Sequence, residues 1–301
     1  MQTKVQRAKP GTAMTADVLW HLANSLHLQW RRYRKRLKRC QDRFSEEAVH
    51  DSRVETRRLL ATFELLRAFI REKDVKKTRR ALKHHLDTLN QLRDTQVQLG
   101  YVEQMTRVFP TARVFRDWLL EREARFSRET RRAIKHTKTR RLGRRIGALE
   151  KEIRRLRRCT PRPRAWETAL RAIDQAFARV AQLCRRVKAD DTVTIHRTRI
   201  AFKRFRYMIE ALAPLLPVVT DEARRAMRGY QSMMGDIQDA EVLLAALDQF
   251  IVDRKTGAGS IRRLREELLR RRRWLIQVYL NASGKLRQVW PLPGLKSRNP
   301  V

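Results

Sequence analysis

The sequence is poor in residues that interrupt helices and in residues that crosslink secreted domains. Its 301 residues include 10 glycines, 9 prolines and 3 cysteines. With so few helix breakers, and with alanine, leucine, arginine and glutamate abundant, we predict an all-α protein built of long helices. Cys40, Cys159 and Cys184 form no C-x-x-C pair, and their odd number argues against a disulfide framework. A reducing cytoplasm is therefore the expected compartment.

Long apolar segments are also missing. No run of about 18 apolar residues is present, so we expect no membrane span. The stretch from Met1 to Thr15 is basic and polar, without the apolar core of a signal peptide. No phosphate-binding G-x-x-x-x-G-K-[ST] loop occurs, and no spacing of cysteines and histidines typical of zinc. We therefore predict a protein with no catalytic residues, no metal and no cofactor.

Acidic residues are too few to balance the basic ones. The chain has 32 Asp and Glu against 70 Lys and Arg, a net charge of +38. Such an excess repels itself in a compact fold, so an anionic partner is expected to offset it. Arginine outnumbers lysine, which favours forked recognition of phosphate oxygens. The candidate partners are nucleic acid, an anionic membrane surface or another polyanion.

Breaks in the helical periodicity divide the chain after Met14 into eight segments. The predicted breaks are 42–45, 72–74, 110–111, 160–163, 189–192, 214–220 and 256–259. Ser45, Thr111, Thr192 and Thr220 are the predicted N-caps. The break near the middle suggests two halves. We predict a disordered N-terminus at 1–13, a first four-helix repeat at 14–159, a second at 164–284 and a basic, proline-containing tail at 285–301.

The two halves align with each other. A shift of 146 residues places Trp20 on Trp166 and His50 on His196, with further matches following in order, and a shift of 145 places Asp94 on Asp239. A series of matches in order indicates an internal duplication. The predicted fold is therefore two tandem four-helix bundles, which would associate around a pseudo-two-fold axis.

One face of each matching helix is basic. On a helix, two sets of residues each fall within a narrow arc opposite the apolar positions: His50, Arg53 and Arg57, and His196, Arg199 and Lys203. A solvated surface is the alternative interpretation of such a stripe. Like charges on one face repel each other, so a stripe that is present in both halves favours a binding site.

Further basic stripes follow helical spacing on other segments. Each stripe alone is typical of a solvated face, but together they predict a long electropositive surface. They comprise Arg32, Arg36 and Arg39 on the first segment, Arg125, Arg128, Arg132 and Lys135 on the fourth, and Arg262, Arg265 and Arg272 on the eighth.

The stretches around the two histidines resemble a known family. Residues 50–58 read HDSRVETRR, and residues 196–207 read HRTRIAFKRFRY. They are similar to the H-x-x-R-V-x-x-R-R and H-x-x-R-I/V-x-x-K-R-x-R-Y motifs of the CHAD domain, the conserved histidine α-helical domain. Arg93-Asp94 also fits the family pattern, whereas Gln238-Asp239 departs from its usual R-D or N-D pair. Asn90 stands where the first repeat often has glycine. The resemblance runs from roughly Met14 to Ser283.

The resemblance implies two bundles around a basic central cavity that binds inorganic polyphosphate, often at cytoplasmic polyphosphate granules. By position it points to His50, Arg53, Arg57, Arg58, His196, Arg199, Lys203, Arg204 and Arg206. To these we add four residues of the flanking stripes, Arg36, Arg39, Arg132 and Lys135. Some members of the family are fused to a triphosphatase domain with an E-x-E-x-K pattern, which this sequence lacks.

The chemistry of the residues agrees with that ligand. Polyphosphate has a charge density like that of a nucleic-acid backbone but carries no bases, so its binder needs a track of cations and no stacking platform. Aromatic residues make up only 7% of the chain. The alternatives are a nucleic-acid-binding helical protein, an accessory factor of a polyphosphate- or triphosphate-metabolising enzyme, and an organiser of granules. The sequence does not assign an oligomeric state.

The histidines and two aspartates suggest further hypotheses. Surrounded by cations, His50 and His196 are expected to be neutral in the free protein and to take up protons when a phosphate chain binds. A histidine nucleophile would need an orienting group, for which Asp94 and Asp239 are the candidates. Helix capping or pairing with arginine is the favoured interpretation of these aspartates, and we predict no catalysis.

Overall fold

The computed structural model describes residues 16–254 and 258–290, and over these residues the protein is all helical, without strands. The predicted all-α class is therefore confirmed. The helices are α1 (Val18–Asp42), α2 (Glu46–Leu66), α3 (Glu72–Met105), α4 (Ala112–Lys135), α5 (Arg140–Cys159), α6 (Arg162–Cys184), α7 (Thr192–Leu212), α8 (Asp221–Arg254) and α9 (Ala258–Ala282). Two short 3-10 helices, Ala213–Leu215 and Ser283–Gln288, follow α7 and α9.

The first half contains five helices, one more than predicted. The segment expected to be continuous from residue 112 to 159 is interrupted at 136–139, between α4 and α5. The Gln41 side chain donates to the carbonyls of Ile134 and Thr137, which satisfies acceptors at the end of α4. Periodicity did not reveal this break because basic helix-forming residues continue on both sides of it.

Side chains at the ends of several helices fix where those helices begin. Ser45 and Thr220 accept hydrogen bonds from backbone amides of α2 and α8, as predicted. Asp191, rather than Thr192, caps α7. Thr111 makes no capping hydrogen bond at α4. Helix α3 begins at Glu72, so the predicted break at 72–74 lies a few residues earlier, before the helix.

The helices pack as consecutive pairs around a shared interior. Helix α1 packs on α2, α3 on α4, α6 on α7 and α8 on α9, while α5 packs mainly on α1. The halves meet where α2 packs on α7 and α3 on α8. Farther along, Phe115 and Trp118 of α4 pack on Phe250 of α8, with ring centroids 5.4 and 5.7 Å apart. This arrangement brings both histidine-containing helices to the junction of the halves.

Helix lengths in the two halves correspond. Helices α2 and α7 have 21 residues each, and α3 and α8 have 34 each. Equal lengths agree with the duplication that the sequence suggests, and the common origin of the halves stays a prediction. Within the part of the chain that the structure describes, α5 has no counterpart in the second half.

The chain after α9 packs more closely than predicted. Leu286, Val289 and Trp290 are buried, although a loose tail was expected from residue 285. Trp290 donates from Nε1 to Asp174 at 2.8 Å and packs edge-on against Phe205. The apolar residues here outweigh the basic and proline-rich character of the neighbouring sequence. The predicted N-terminal segment 1–13 and residues 291–301 lie outside the described residues.

Among residues 16–254 and 258–290, none of the helices combines the length and the apolar character needed to cross a bilayer.

Candidate anion-binding site

Five basic side chains form a cationic cluster where the two halves meet. Arg53 and Arg57 come from α2, and Arg199, Lys203 and Arg206 come from α7. They lie close enough that four of these charges lower the pKa of the fifth, Lys203. The packing of α2 on α7 thus joins the two basic stripes into one site. Their mutual repulsion favours any anion that can lie between them.

Arg53 is the anchored member of the cluster. Its side chain is buried, and Nη1 donates to the Leu89 carbonyl and to Asn90 Oδ1, both at 2.8 Å. Burial, followed by the charge of Arg57, lowers the Arg53 pKa to about 10, although the charge of Asp94 opposes that shift. Arg53 therefore stays charged at neutral pH and holds α2 against α3.

Lys203 has the most strongly shifted pKa in the cluster. Burial, followed by the charges of Arg57, Arg199, Arg206 and Arg53, lowers its pKa to about 7. Its Nζ lies 5.7 Å from the centroid of the Tyr207 ring. An amine with a pKa near neutrality is only partly charged in the free protein, so a neighbouring anion would favour its protonated form.

Three members of the cluster lack a partner from the protein. Within residues 16–254 and 258–290, Arg57, Arg199 and Lys203 make no hydrogen bond or ion pair through their side chains. The Nε atoms of Arg57 and Arg199 are fully buried and donate to nothing. An unsatisfied buried donor costs about 1–3 kcal/mol, which is why most such donors in proteins are paired. Arg57, Arg199 and Lys203 are each half-buried as whole residues, so their charged groups can meet an acceptor that comes from outside the protein.

A central groove of about 930 Å³ opens beside the cluster, between α2, α7 and the start of α8. Arg57, Arg206 and Tyr207 belong to its wall, so cluster and groove are continuous. Arg206 is held there by Gln231 and Glu210 and lies 4.9 Å from the centroid of the Tyr207 ring. Charged residues that complete the wall are Arg32, Arg58, Glu210, Asp221 and Arg224.

The two matching aspartates lie near the cluster. Asp94 is exposed on α3, and desolvation by the surrounding protein raises its pKa against the opposing charges of Arg53, Arg57 and Arg199. Burial also raises the pKa of Asp239, which Arg199 opposes. Neither forms an ion pair among the residues described. Both lie inside long helices, so the predicted capping role is wrong, and what remains is a charge interaction with arginines.

The two histidines differ in their surroundings. His50 is exposed on α2. His196 is half-buried, and its Nδ1 hydrogen-bonds with Oε1 of Gln238 on α8. An amide oxygen only accepts, so Nδ1 carries the proton in this contact. The departure of Gln238 from the family pattern therefore supplies an acceptor that orients His196.

Two predicted residues next to the cluster have partners of their own. Arg204 points to another cavity, of about 630 Å³, and its Nε lies 2.7 Å from the carboxylate of buried Glu64. Glu64 also pairs with Arg67 and Arg79, so this carboxylate joins α2, α3 and α7. Arg58 pairs with Glu55 and lies in the wall of the central groove.

The residues added from the flanking stripes do not join the cluster. Arg36 pairs with Asp51 at 2.8 Å, and Arg39 pairs with Glu47 at 2.9 Å, so both tie α1 to α2. Arg132 and Lys135 are exposed in the last turn of α4 and line neither the cluster nor the central groove. Helical spacing identifies a stripe, but it does not say which neighbour the stripe faces.

Sequence reasoning missed one basic residue of the groove wall. Arg224, in the first turn of α8, lines the groove and pairs with Asp221. No motif marks Arg224, and only the tight connection through Ala213–Leu215 brings the start of α8 back to α2. Arg32 was noted as part of a basic stripe but was not selected, although it lines the groove.

Comparisons with known proteins agree with this architecture. The crystal structure of the CHAD domain from the plant Ricinus communis is 16% identical, with a TM-score of 0.68 over 90% of this chain and 92% of that one. PptA from Streptomyces chartreusis is 17% identical, with a TM-score of 0.65 over 90% and 99%. No curated protein matches the chain. The sequence model of the CHAD domain matches residues 23–248. As its two histidine motifs indicated, the chain belongs to the CHAD domain family.

Proposed function

We propose that this protein binds inorganic polyphosphate in the cationic cluster and the central groove, and that it does not cleave the chain. The observation that carries the proposal is the set of three charged donors, Arg57, Arg199 and Lys203, that have no acceptor within the described part of the protein. Every unit of a phosphate chain offers oxygens that accept charge-assisted hydrogen bonds. Membership of the CHAD family supports the same ligand.

The groove favours a polyanion without bases. Tyr207 is the aromatic residue of its wall, and the cations of Lys203 and Arg206 lie against that ring. Binding of single-stranded nucleic acid uses open aromatic faces on which bases stack. A ring that is already engaged with two cations is poorly suited to that role, whereas a bare phosphate chain needs no such surface.

Binding would proceed through charge and proton uptake rather than through bond cleavage. An entering phosphate accepts from the guanidinium groups of Arg57 and Arg199, and its negative charge favours the protonated form of Lys203. Arg53 is already held by α3 and keeps the cluster in place. A cytoplasmic location at polyphosphate granules follows from this ligand as part of the proposal.

The test is a competition experiment at about 0.15 M salt, where loose surface contacts are screened. Wild type is titrated with polyphosphate in the presence of single-stranded DNA of equal charge. The triple variant Arg57→Gln/Arg199→Gln/Lys203→Gln is titrated in parallel. We expect polyphosphate to resist displacement from wild type, and we expect the triple variant to bind at least ten times more weakly, because each lost charged hydrogen bond is worth about 1.5–3 kcal/mol.

A control variant separates the effect of losing the site from the effect of losing net positive charge. Arg263→Gln/Arg270→Gln/Arg273→Gln removes three charges from the exposed face of α9, away from the groove. It should bind polyphosphate like wild type. Equal losses in both variants, or free displacement by DNA, would show that the charge acts generically and that nucleic acid is the better ligand. Release of phosphate during incubation would contradict the non-catalytic part.

A further inference from the structure

A second basic cavity lies between α1 and the turn that joins α4 to α5. Its volume is about 520 Å³, within the range of small-ligand sites. None of the cluster residues contributes to it, and none of its lining residues is acidic. The lining consists of Arg31, Arg34, Lys35, Leu37, Lys38, Gln41, Thr137 and Thr139.

The four cations of this α1–α5 cavity form one exposed stripe. Arg31, Arg34, Lys35 and Lys38 follow the i, i+3, i+4, i+7 spacing that places side chains on one helix face. Lys38 pairs with Asp42 at 3.1 Å, and the other three make no ion pair within residues 16–254 and 258–290. Neighbouring like charges on a helix destabilise it, so an anion bound along the stripe would relieve a repulsion.

Other cations of α1 are treated differently by the fold. Arg36 and Arg39 also lie on α1, yet each pairs with acidic residues of α2. Acidic residues of α2 thus neutralise Arg36 and Arg39. On the side that faces the cavity, Lys38 alone has an acidic partner among the residues described, Asp42 of its own helix, so this side keeps a net positive charge.

The turn at the far wall of the cavity is rigidly placed and favours anions. Gln41 donates to the carbonyls of Ile134 and Thr137 at 3.0 and 3.1 Å, which removes acceptors that would repel a phosphate. Thr139 precedes α5, and its side chain makes no capping hydrogen bond. The first turn of α5 contains no acidic residue. The Thr137 hydroxyl already donates to the Ala133 carbonyl, so the Thr139 hydroxyl and the backbone donors at the start of α5 are the ones that can serve a ligand.

A glycine brings α5 close enough to complete this wall. A β-carbon at Gly143, in the first turn of α5, would lie 3.1 Å from Cζ2 of Trp30 on α1. Any larger residue would require the Trp30 ring to shift by a few tenths of an ångström. The glycine at position 143 therefore permits the close approach of α5 to α1 beside the basic stripe.

We propose that the α1–α5 cavity is a second binding site for a short run of phosphates from an inorganic phosphate chain. None of its lining side chains is aromatic, so it offers no platform for a base. The site stands independently of the central groove. If both sites are occupied, one molecule joins two segments of polyphosphate, or two chains.

The experiment is a calorimetric titration with tripolyphosphate, which is too short to engage two separate sites at once. The buffer contains about 0.15 M salt. Wild type should bind two equivalents. The variant Arg31→Gln/Arg34→Gln/Lys35→Gln/Lys38→Gln should lose one of them. A matched variant that removes four charges from α9, Arg262→Gln/Arg263→Gln/Arg270→Gln/Arg273→Gln, should retain both. Thermal unfolding verifies that each variant is folded.

The outcomes separate this proposal from the proposed function. If the triple variant of the central cluster keeps one equivalent and the α1 variant keeps the other, both sites exist. If the α1 variant retains the wild-type stoichiometry, the second site is refuted whatever happens at the centre. Equal loss in the α9 variant, or displacement of this equivalent by single-stranded RNA of the same charge, would also overturn it. A central-cluster variant that behaves like wild type would contradict the central site alone.

Discussion

The motifs on α2 and α7 are alike in sequence, but their first arginines differ in what holds them. Arg53 on α2 donates to Leu89 and Asn90 of α3. Arg199 occupies the same motif position on α7 and has no partner among the residues described. The residue that matches Asn90 is Gly235, whose hypothetical β-carbon would lie 4.0 Å from the Arg199 Nε. Arg53 therefore joins two helices, whereas Arg199 remains available to a ligand.

The histidines of the same motifs show the opposite difference. His196 hydrogen-bonds with Gln238, while His50 is exposed. The residue that matches Gln238 is Arg93, which pairs with Glu46 at 3.0 Å instead. The first half thus fixes its arginine, and the second half fixes its histidine. A repeated motif does not imply a repeated role, because the facing helix decides which side chain is held.

The largest difference in binding and stability is expected between variants of the two motif arginines, Arg199 and Arg53. Arg199→Gln should weaken polyphosphate binding roughly ten- to hundred-fold, since a charged hydrogen bond is worth about 1.5–3 kcal/mol. The stability of this variant should change little, because the removed Nε has no partner among the described residues. Arg53→Gln should instead lower the free energy of unfolding by about 1–3 kcal/mol. Binding titrations and denaturant unfolding of both variants measure this contrast.

Equal effects on binding and stability for Arg199→Gln and Arg53→Gln would remove the distinction between the two motifs. Arg273→Gln on the exposed face of α9 serves as the single-charge control, and it should leave both quantities at wild-type values.

Lys203 should make binding depend on pH. In the free protein Lys203 is protonated below about pH 7 and loses its proton above it. A bound polyanion raises this pKa, so at higher pH the complex holds a proton that the free protein lacks. Affinity should therefore fall as pH rises above 7, by at most about ten-fold per pH unit for one proton. Titrations between pH 6 and 9 measure the slope.

Replacement of Lys203 separates its proton from those of the histidines. Lys203→Arg keeps the charge throughout this pH range, so the slope above pH 7 should flatten, and Lys203→Met should flatten it at a lower affinity. A slope that persists in both variants would assign the proton uptake to other groups, with His50 and His196 the ones predicted from the sequence.

A smaller effect on polyphosphate binding is expected when Gly235 of the second half is replaced by asparagine, the residue at the matching position 90 of the first half. Gly235→Asn should place an amide acceptor beside Arg199 and weaken binding by about three- to ten-fold, as expected when a donor gains a competing hydrogen bond of about 1 kcal/mol. Because asparagine has a higher helix propensity than glycine, the substitution should also raise the free energy of unfolding by a few tenths of a kcal/mol or more. Gly229→Asn, on the same helix but with open space around it, is the control for propensity alone. If both variants bind equally well, residue 235 does not determine the availability of Arg199.

The smallest effect is expected from arginines that the fold already pairs. Arg36→Gln/Arg39→Gln removes ion pairs to α2 at partly exposed positions, each worth about 0–1 kcal/mol. Polyphosphate affinity at about 0.15 M salt should stay within about two-fold of wild type. A loss as large as that of Arg199→Gln would mean that paired surface cations bind the ligand too.

Much of the fold could be predicted from the sequence because it rests on local signals. Scarce glycine and proline and the caps at Ser45 and Thr220 mark the helices, and the histidine motifs indicate the family. The break between α4 and α5 was not predicted, because the contact that fixes it comes from Gln41, which is distant in the sequence. Trp290 was assigned to a loose tail because its partners, Asp174 and Phe205, are remote in the sequence.

The sequence predicted the site as one set of residues. The structure divides that set into residues that pair with acidic side chains and residues that do not. The family motifs assign Arg57 and Arg204 to the site with equal justification. Only packing shows that Arg204 reaches buried Glu64, whereas Arg57 has no acceptor in the described part of the chain. The sequence contains no signal for that difference, because it depends on how α2 and α7 are rotated against each other.

The most direct test of the central claim is a crystal structure of the protein with a short polyphosphate chain. The account predicts phosphate oxygens within hydrogen-bonding distance of the guanidinium groups of Arg57 and Arg199 and of Lys203 Nζ, with the contacts of Arg53 to Leu89 and Asn90 unchanged. A chain bound only at paired surface arginines such as Arg36 and Arg39, with the cationic cluster empty, would contradict it.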